Sequence, residues 1–251
     1  MTEFFGLLPE AESLKIIESG FPRRTNAKCS SDIDRPRRGI WSSALGVIGK
    51  LATSMNRRDE IPNQELAQSI VDRGDRIAVN ELVDNLSNKD RNIQRDCIKV
   101  LYEIGERNPG LISDKAKEFV GLLSSENNQL VWGAMTALDS ITLKNPEAIH
   151  SALPVIIRAS NSGSVIARDH AVSILTKMTS LRKYKKTAFK LLIDQLKICP
   201  PNQLPMYAEN ATQVIDIDNK KTFTDTLSSR LKSVEKLSKR RRLERVIRKL
   251  S

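Results

Sequence analysis

With 251 residues, 39% of them hydrophobic but only 4% aromatic, the chain can bury a sizeable core of Leu, Ile, Val and Ala, a composition that suits packed helices better than sheets. No apolar run approaches the roughly 20 residues a membrane helix needs, and no basic region precedes Phe4 and Phe5, so the expectation is neither a span nor a leader, with the cytoplasm as the default location. The formal net charge of +11 is unevenly placed: residues 219–251 carry twelve basic against three acidic side chains, while the rest is close to balance. A pI near 9.7 therefore describes one end of the molecule.

Residues 1–74 read as N-terminal capping helices interrupted by a basic loop. A short amphipathic helix is expected from about Pro9 through Leu14, Ile16 and Ile17, and the segment 21–39 follows as a loop with two prolines and Arg23, Arg24, Lys28, Arg35, Arg37 and Arg38 against Asp32 and Asp34. Helical spacing resumes over 40–55 through Trp41, Ala44, Leu45, Val47, Ile48 and Leu51, and again from Pro62 through Leu66, Ile70 and Val71 to a stop at Gly74, after which Asp75 caps a new helix.

From residue 75 to 217 a period of 37 residues governs the pattern. Cys97 returns as Ala134, Ala171 and Ala208; Val100 as Ala137, Ile174 and Ala211; Ile104 as Ile141, Met178 and Ile215. Four helix pairs follow, with first helices near 76–87, 115–124, 148–159 and 184–198 and second helices near 92–106, 128–143, 165–180 and 203–216. Leu82, Phe119, Ile156 and Ile193 are likewise 37 apart, as are the links Asn108-Pro109 and Asn145-Pro146, where proline ends one helix and starts the next. Such a period marks stacked helix pairs, because one pair cannot bury its own apolar face but neighbours can.

These positions resemble the HEAT/armadillo-like helical repeats: Asp90 in the turn, then Ile93 and Cys97 in the first regular repeat, and Ala167, Arg168 and Ala171 in the third. The turn Asp becomes Asn127 and Ser164 later, and the basic slot is Gln94 and Val131 in the first two repeats. The resemblance implies an all-α fold, a right-handed solenoid of HEAT-like pairs whose second helices line a concave surface, and a role among scaffolds, adaptors and transport factors.

The final segment, 218–251, reads as one long basic helix over 220–250. Phe223, Leu227, Leu231, Val234 and Leu237 form its first apolar face, and Leu243, Val246, Ile247 and Leu250 a second, amid cationic side chains.

Little in the sequence suggests catalysis. His150 and His170 are the only histidines and read as packing or surface residues. Cys29, Cys97 and Cys199 are widely spaced, without Cys-x-x-Cys, so neither a disulfide framework nor a zinc site is expected. The run from Gly46 to Leu51 lacks the first glycine and the Ser/Thr of a phosphate loop. Some HEAT-like proteins are DNA glycosylases with concave aromatic and acidic residues, which draws attention to Trp132 and Asp139, but one such pair is a thin resemblance.

The reading is a non-enzymatic scaffold without cofactor or metal, binding a protein or peptide on its concave face through Arg95, Lys99, Trp132, Arg168 and Lys177. The alternative is a nucleic-acid-binding protein that grips phosphates with Lys239, Arg240, Arg241, Arg242, Arg245, Arg248 and Lys249, helped by the 21–39 loop and Lys183, Lys185 and Lys186.

Overall fold

The computed structural model describes residues 46–250, so the helix near Pro9, the 21–39 loop and the stretch around Trp41 lie outside the described residues. Eleven α-helices are found among the described residues: α1 (Ile61–Arg73), α2 (Arg76–Asp84), α3 (Arg91–Arg107), α4 (Ala116–Leu122), α5 (Asn128–Ile141), α6 (Pro146–Ser162), α7 (Val165–Ser180), α8 (Lys185–Ile198), α9 (Leu204–Ala211), α10 (Lys220–Arg230) and α11 (Leu237–Leu250). Five consecutive pairs result, from α2–α3 to α10–α11. Their second helices, preceded by α1, stack in one continuous row, α1 on α3, α3 on α5, α5 on α7, α7 on α9 and α9 on α11, while α4 lies against α6 and α8 against α10.

The period has a local cause at the start of each second helix. Asp90, Asn127 and Ser164, 37 residues apart, each sit at an N-cap, and their side-chain oxygens accept from the backbone N–H of Asn92, Gln129 and Ala167. Asp, Asn and Ser all supply that acceptor, so the changing residue in the turn slot leaves the cap intact. Asp75 does the same for α2 and Asn145 for α6, where Pro146 occupies the first turn.

The small register positions, Cys97, Ala134, Ala171 and Ala208, have no exposure, and neither do Val100, Ala137, Ile174 and Ala211. They are small because one helix passes close over the next. Larger side chains, Leu82, Phe119 and Ile156, fill the space between first and second helices.

Polar clasps join each repeat to the next. Arg107 Nε donates to Gln68 Oε1 at 3.2 Å, Asn127 Nδ2 to Gln94 Oε1 at 3.3 Å, Asn145 Nδ2 to the Ser113 carbonyl at 2.9 Å and Gln195 Nε2 to Asn161 Oδ1 at 3.1 Å. Tyr207 donates its phenolic O–H to Asp169 Oδ1 at 2.5 Å, and Arg230 Nη1 donates to the carbonyls of Leu196 and Cys199, both at 2.8 Å.

Two elements differ from the sequence expectation. The described part of the 40–55 helix is only a 3-10 turn, Val47–Lys50, followed by extended Leu51. Its backbone donors are taken by side chains of later helices: Ile48 N–H reaches Glu81, Ala52 N–H reaches Asn63 Oδ1 at 3.0 Å and Thr53 N–H reaches Asp96 Oδ2 at 2.8 Å. These bonds replace the i−4 carbonyls that a helix would have used.

The single long helix over 220–250 is instead two. A 3-10 turn, Leu231–Ser233, leads into Val234, which is extended and 1% exposed. Burying Val234 turns the chain back so that the apolar stripe of α11 covers α9 and α10 instead of projecting into water. Arg240 Nε closes the turn on the Val234 carbonyl at 3.0 Å.

Candidate functional site

The row of second helices presents a cleft of about 440 Å³ between the first two regular repeats. From α3 it takes Arg95, Ile98, Lys99 and Tyr102, and from α5 Gln129, Trp132, Gly133 and Thr136; both sets have the i, i+3, i+4, i+7 spacing of one helix face. Ile166 at the start of α7 extends the floor, and residues 57–60 with Ala52 and Asn63 form a wall.

Gly133 lets the floor form. A Cβ there would lie 2.4 Å from Ile98 Cγ1, so only glycine allows α3 and α5 to approach this closely with Ile98 between them. The wall depends on Asn63 and Asp96, 2% and 3% exposed, which hold the backbone of Ala52 and Thr53. Beyond them Asn56 takes a left-handed conformation (φ 54°), a region asparagine tolerates. Arg57 then forks onto both carboxylate oxygens of Asp59 at 2.9 Å.

Charge in the cleft is mostly balanced. The Lys99 ammonium lies 3.0 Å from Glu60 Oε2, 2.9 Å from Glu103 Oε1 and 4.8 Å from the centre of the Tyr102 ring. Burial works to deprotonate it, but Tyr102, Glu103 and Glu60 outweigh that effect and hold its pKa above the ordinary lysine range. Glu103 is buried too, yet Lys99 and Arg107, the latter at 2.6 Å, keep its pKa below the ordinary glutamate value. Arg95 leans on Asp96 at 3.3 Å with 42% of its side chain exposed. Arg58 has no ion-pair or hydrogen-bond partner among the described residues.

Farther along the same face of α5, at i+4 and i+7 from Trp132, lie Thr136 and Asp139. Asp139 is 7% exposed, with Lys177 Nζ 3.0 Å from Oδ1 and His170 Nδ1 3.0 Å from Oδ2. Lys177 also donates to the Asp139 carbonyl at 2.8 Å, and His170 Nε2 lies 3.0 Å from Thr136 Oγ1. Burial pushes the Asp139 pKa up, but Lys177 and His170 override it and hold the pKa at about 2.

The Thr136–His170–Asp139 order has the shape of a nucleophile, base and orienting acid, but Thr136 donates its hydroxyl proton to the Trp132 carbonyl at 3.0 Å. Asp139 Oδ2 is at hydrogen-bond distance from His170, and Oδ1 lies in an ion pair with Lys177 without a hydrogen bond of its own, which makes the group a clasp between α5 and α7. Among the described residues no group of His, Cys, Asp or Glu is arranged to hold a metal ion.

Of the residues singled out from sequence, Arg95, Lys99 and Trp132 meet in the cleft. Lys177 lies on the neighbouring seam and is tied to Asp139. Arg168 stands apart: its Nη2 reaches 3.5 Å to the Ser160 carbonyl near the end of α6, away from the cleft lining. The sequence drew attention to Asp139 and gave His170 a packing or surface role; what it did not yield is their pairing with each other and with Lys177, 31 and 38 residues beyond Asp139, although an acid followed by a histidine and a base about one repeat later was a readable signal.

The C-terminal cations divide in the same way. Lys239 donates to the Asn202 carbonyl at 2.9 Å, Arg240 to the Val234 carbonyl, and Arg242 pairs with both oxygens of Glu209, its Nε 2.9 Å from Oε1. Arg241, Arg245, Arg248 and Lys249 are exposed and have no such partner among the described residues.

Capped helix pairs stacked through a continuous row of second helices define an α-solenoid of the armadillo/HEAT-like helical-repeat type. The solved structures it resembles carry the same fold. A computationally designed armadillo repeat protein for modular peptide recognition matches with TM-score 0.59 and 12% identity over 81% of this chain and 98% of that one. A designed armadillo repeat protein in complex with the peptide (KR)4 matches with TM-score 0.57 and 15% identity over 75% and 87%. No protein-family model and no curated protein matches the sequence.

Proposed function

We propose that this chain is a non-enzymatic interaction scaffold that binds a protein or peptide segment in the cleft between α3 and α5. The observation that carries the reading is Trp132. Its indole is half-buried on the cleft floor beside Ile98 and Ile166, ringed by Arg57, Arg58, Asp59, Glu60, Arg95 and Lys99. A large aromatic surrounded by polar groups that can exclude water is the arrangement of an interface hot spot. The two structural neighbours are described as peptide-recognising or peptide-bound proteins, which supports this reading of the groove.

Selection of a random peptide display library on the chain tests it. Selected peptides should lose about 30-fold or more in affinity on Trp132→Ala, the size of a hot-spot truncation near 2 kcal/mol. Peptides whose affinity is unchanged by Trp132→Ala and by Arg58→Ala would refute the assignment of the cleft.

A further inference from the structure

We infer that the exposed face of α11 binds the phosphate backbone of double-helical nucleic acid through Arg241, Arg245 and Arg248. Residues 232–249 contain nine Lys or Arg against Glu235 and Glu244. The fold sorts them: Lys239, Arg240 and Arg242 hold the helix to Asn202, Val234 and Glu209, while Arg241, Arg245 and Arg248 remain exposed and without a partner among the described residues. At i, i+4 and i+7 they form one stripe about 10 Å long, set by the helical rise. Lys249 is exposed beside it, and Lys232 and Lys236 on the preceding turn.

Three observations select the occupant. The apolar stripe of α11 is already used: Leu243 and Val246 are buried, Ile247 and Leu250 pack against the core, and only Leu237 at the first position is a large exposed apolar side chain. A membrane-surface helix would need that stripe free to insert. A protein interface would need a desolvated apolar centre, which this stripe lacks, so its attraction is almost purely electrostatic and suits a polyanion of high linear charge density. Tyr207 and Phe223, the only aromatic residues from position 204 onward, are 1% and 0% exposed, so no ring is offered on which unpaired bases could stack. The duplex backbone remains, and guanidinium groups suit its phosphates through paired N–H donors. The surface is separate from the Trp132 cleft, so either assignment can fail alone.

The test is fluorescence anisotropy of the full chain with labelled duplex DNA, duplex RNA, single strands and poly-glutamate over a salt series, with flotation on phosphatidylserine vesicles. Wild type should bind duplex with log K falling linearly in log salt. The triple variant Arg241→Gln, Arg245→Gln, Arg248→Gln should lose at least tenfold at low salt and reduce the slope by about 3, near 0.9 for each phosphate contact removed. Its melting should stay at the wild-type value, since the three side chains support nothing in the fold. Lysine at the same positions should restore duplex binding, and Lys89→Gln, Lys117→Gln, Arg158→Gln, three exposed cations elsewhere, should change it little. Preference between the DNA and RNA arms identifies which duplex supplies the phosphates. No duplex binding at low salt, equal loss in the two triple-Gln variants, or tighter binding to single strands, poly-glutamate or vesicles would overturn the inference.

Discussion

Replacing Asp139 by Asn removes a charge from the α5–α7 seam while keeping the volume and one acceptor, so it tests the clasp without opening a cavity. The Asp139 pKa is lowered from 3.8 to about 2, and one unit corresponds to about 1.4 kcal/mol. The carboxylate thus contributes about 2 kcal/mol at neutral pH. Because the folded pKa lies below the unfolded one, this contribution is fully present above the unfolded value and disappears as pH falls through the folded one. A full buried-pair loss of about 3–5 kcal/mol is not expected. Lys177 and His170 keep 21% and 23% of their side chains exposed, so water can solvate the groups that face the substituted residue. Urea unfolding followed by circular dichroism should show the variant about 2 kcal/mol less stable at neutral pH, with half that gap left near about pH 3. A penalty under about 0.5 kcal/mol at neutral pH, or one constant down to about pH 3, would refute the electrostatic account of the seam.

Other changes test the packing and the cleft. Ala134→Glu and Ala171→Glu place a carboxylate where there is no exposure and should each cost several kcal/mol; wild-type melting of both would contradict the 37-residue register. Gly133→Ala should destabilise by about 1–3 kcal/mol despite alanine's better helix propensity, because Ile98 must move. The double variant with Ile98→Ala should then be more stable than the sum of the two single changes predicts, measured as a coupling energy. Asp96→Ala removes the acceptor of Thr53 N–H, so amide exchange across residues 52–57 should accelerate while that of α6 and α7 stays unchanged.

The repeats were legible because helix spacing and caps are local properties: Asp90, Asn127 and Ser164 announce their helices whatever packs above them. The two misread elements were decided by distant partners. Gly46 to Met55 has helical spacing, but Glu81, Asn63 and Asp96 capture its amides, and those residues lie 33, 11 and 43 positions away from their respective partners. The break at Val234 likewise depends on what α9 and α10 leave uncovered. At the cleft, Trp132 lies 37 residues after Arg95 and 37 before Asp169, an aromatic in a polar register slot of the sequence; Lys99 has Glu103 four residues on along its own helix, a pairing the spacing offers, whereas the contacts of Lys99 with Glu60 and of Lys177 with Asp139 arise only when the elements are packed together. Arg168 was assigned to the concave face from its helix alone, and its actual direction, toward the Ser160 carbonyl, is set by the neighbouring helix end.

The clasps between repeats bear on how the chain comes apart. Each reaches one period along the sequence, and those of Arg107, Asn127, Asn145 and Gln195 span 39, 33, 32 and 34 residues. Coupling of that range behaves as a row of dominoes in which each unit is held by its neighbours. Unfolding can therefore advance as a boundary moving inward from an end, and an internal lesion such as a broken Asp139 clasp can divide the row into halves that melt separately.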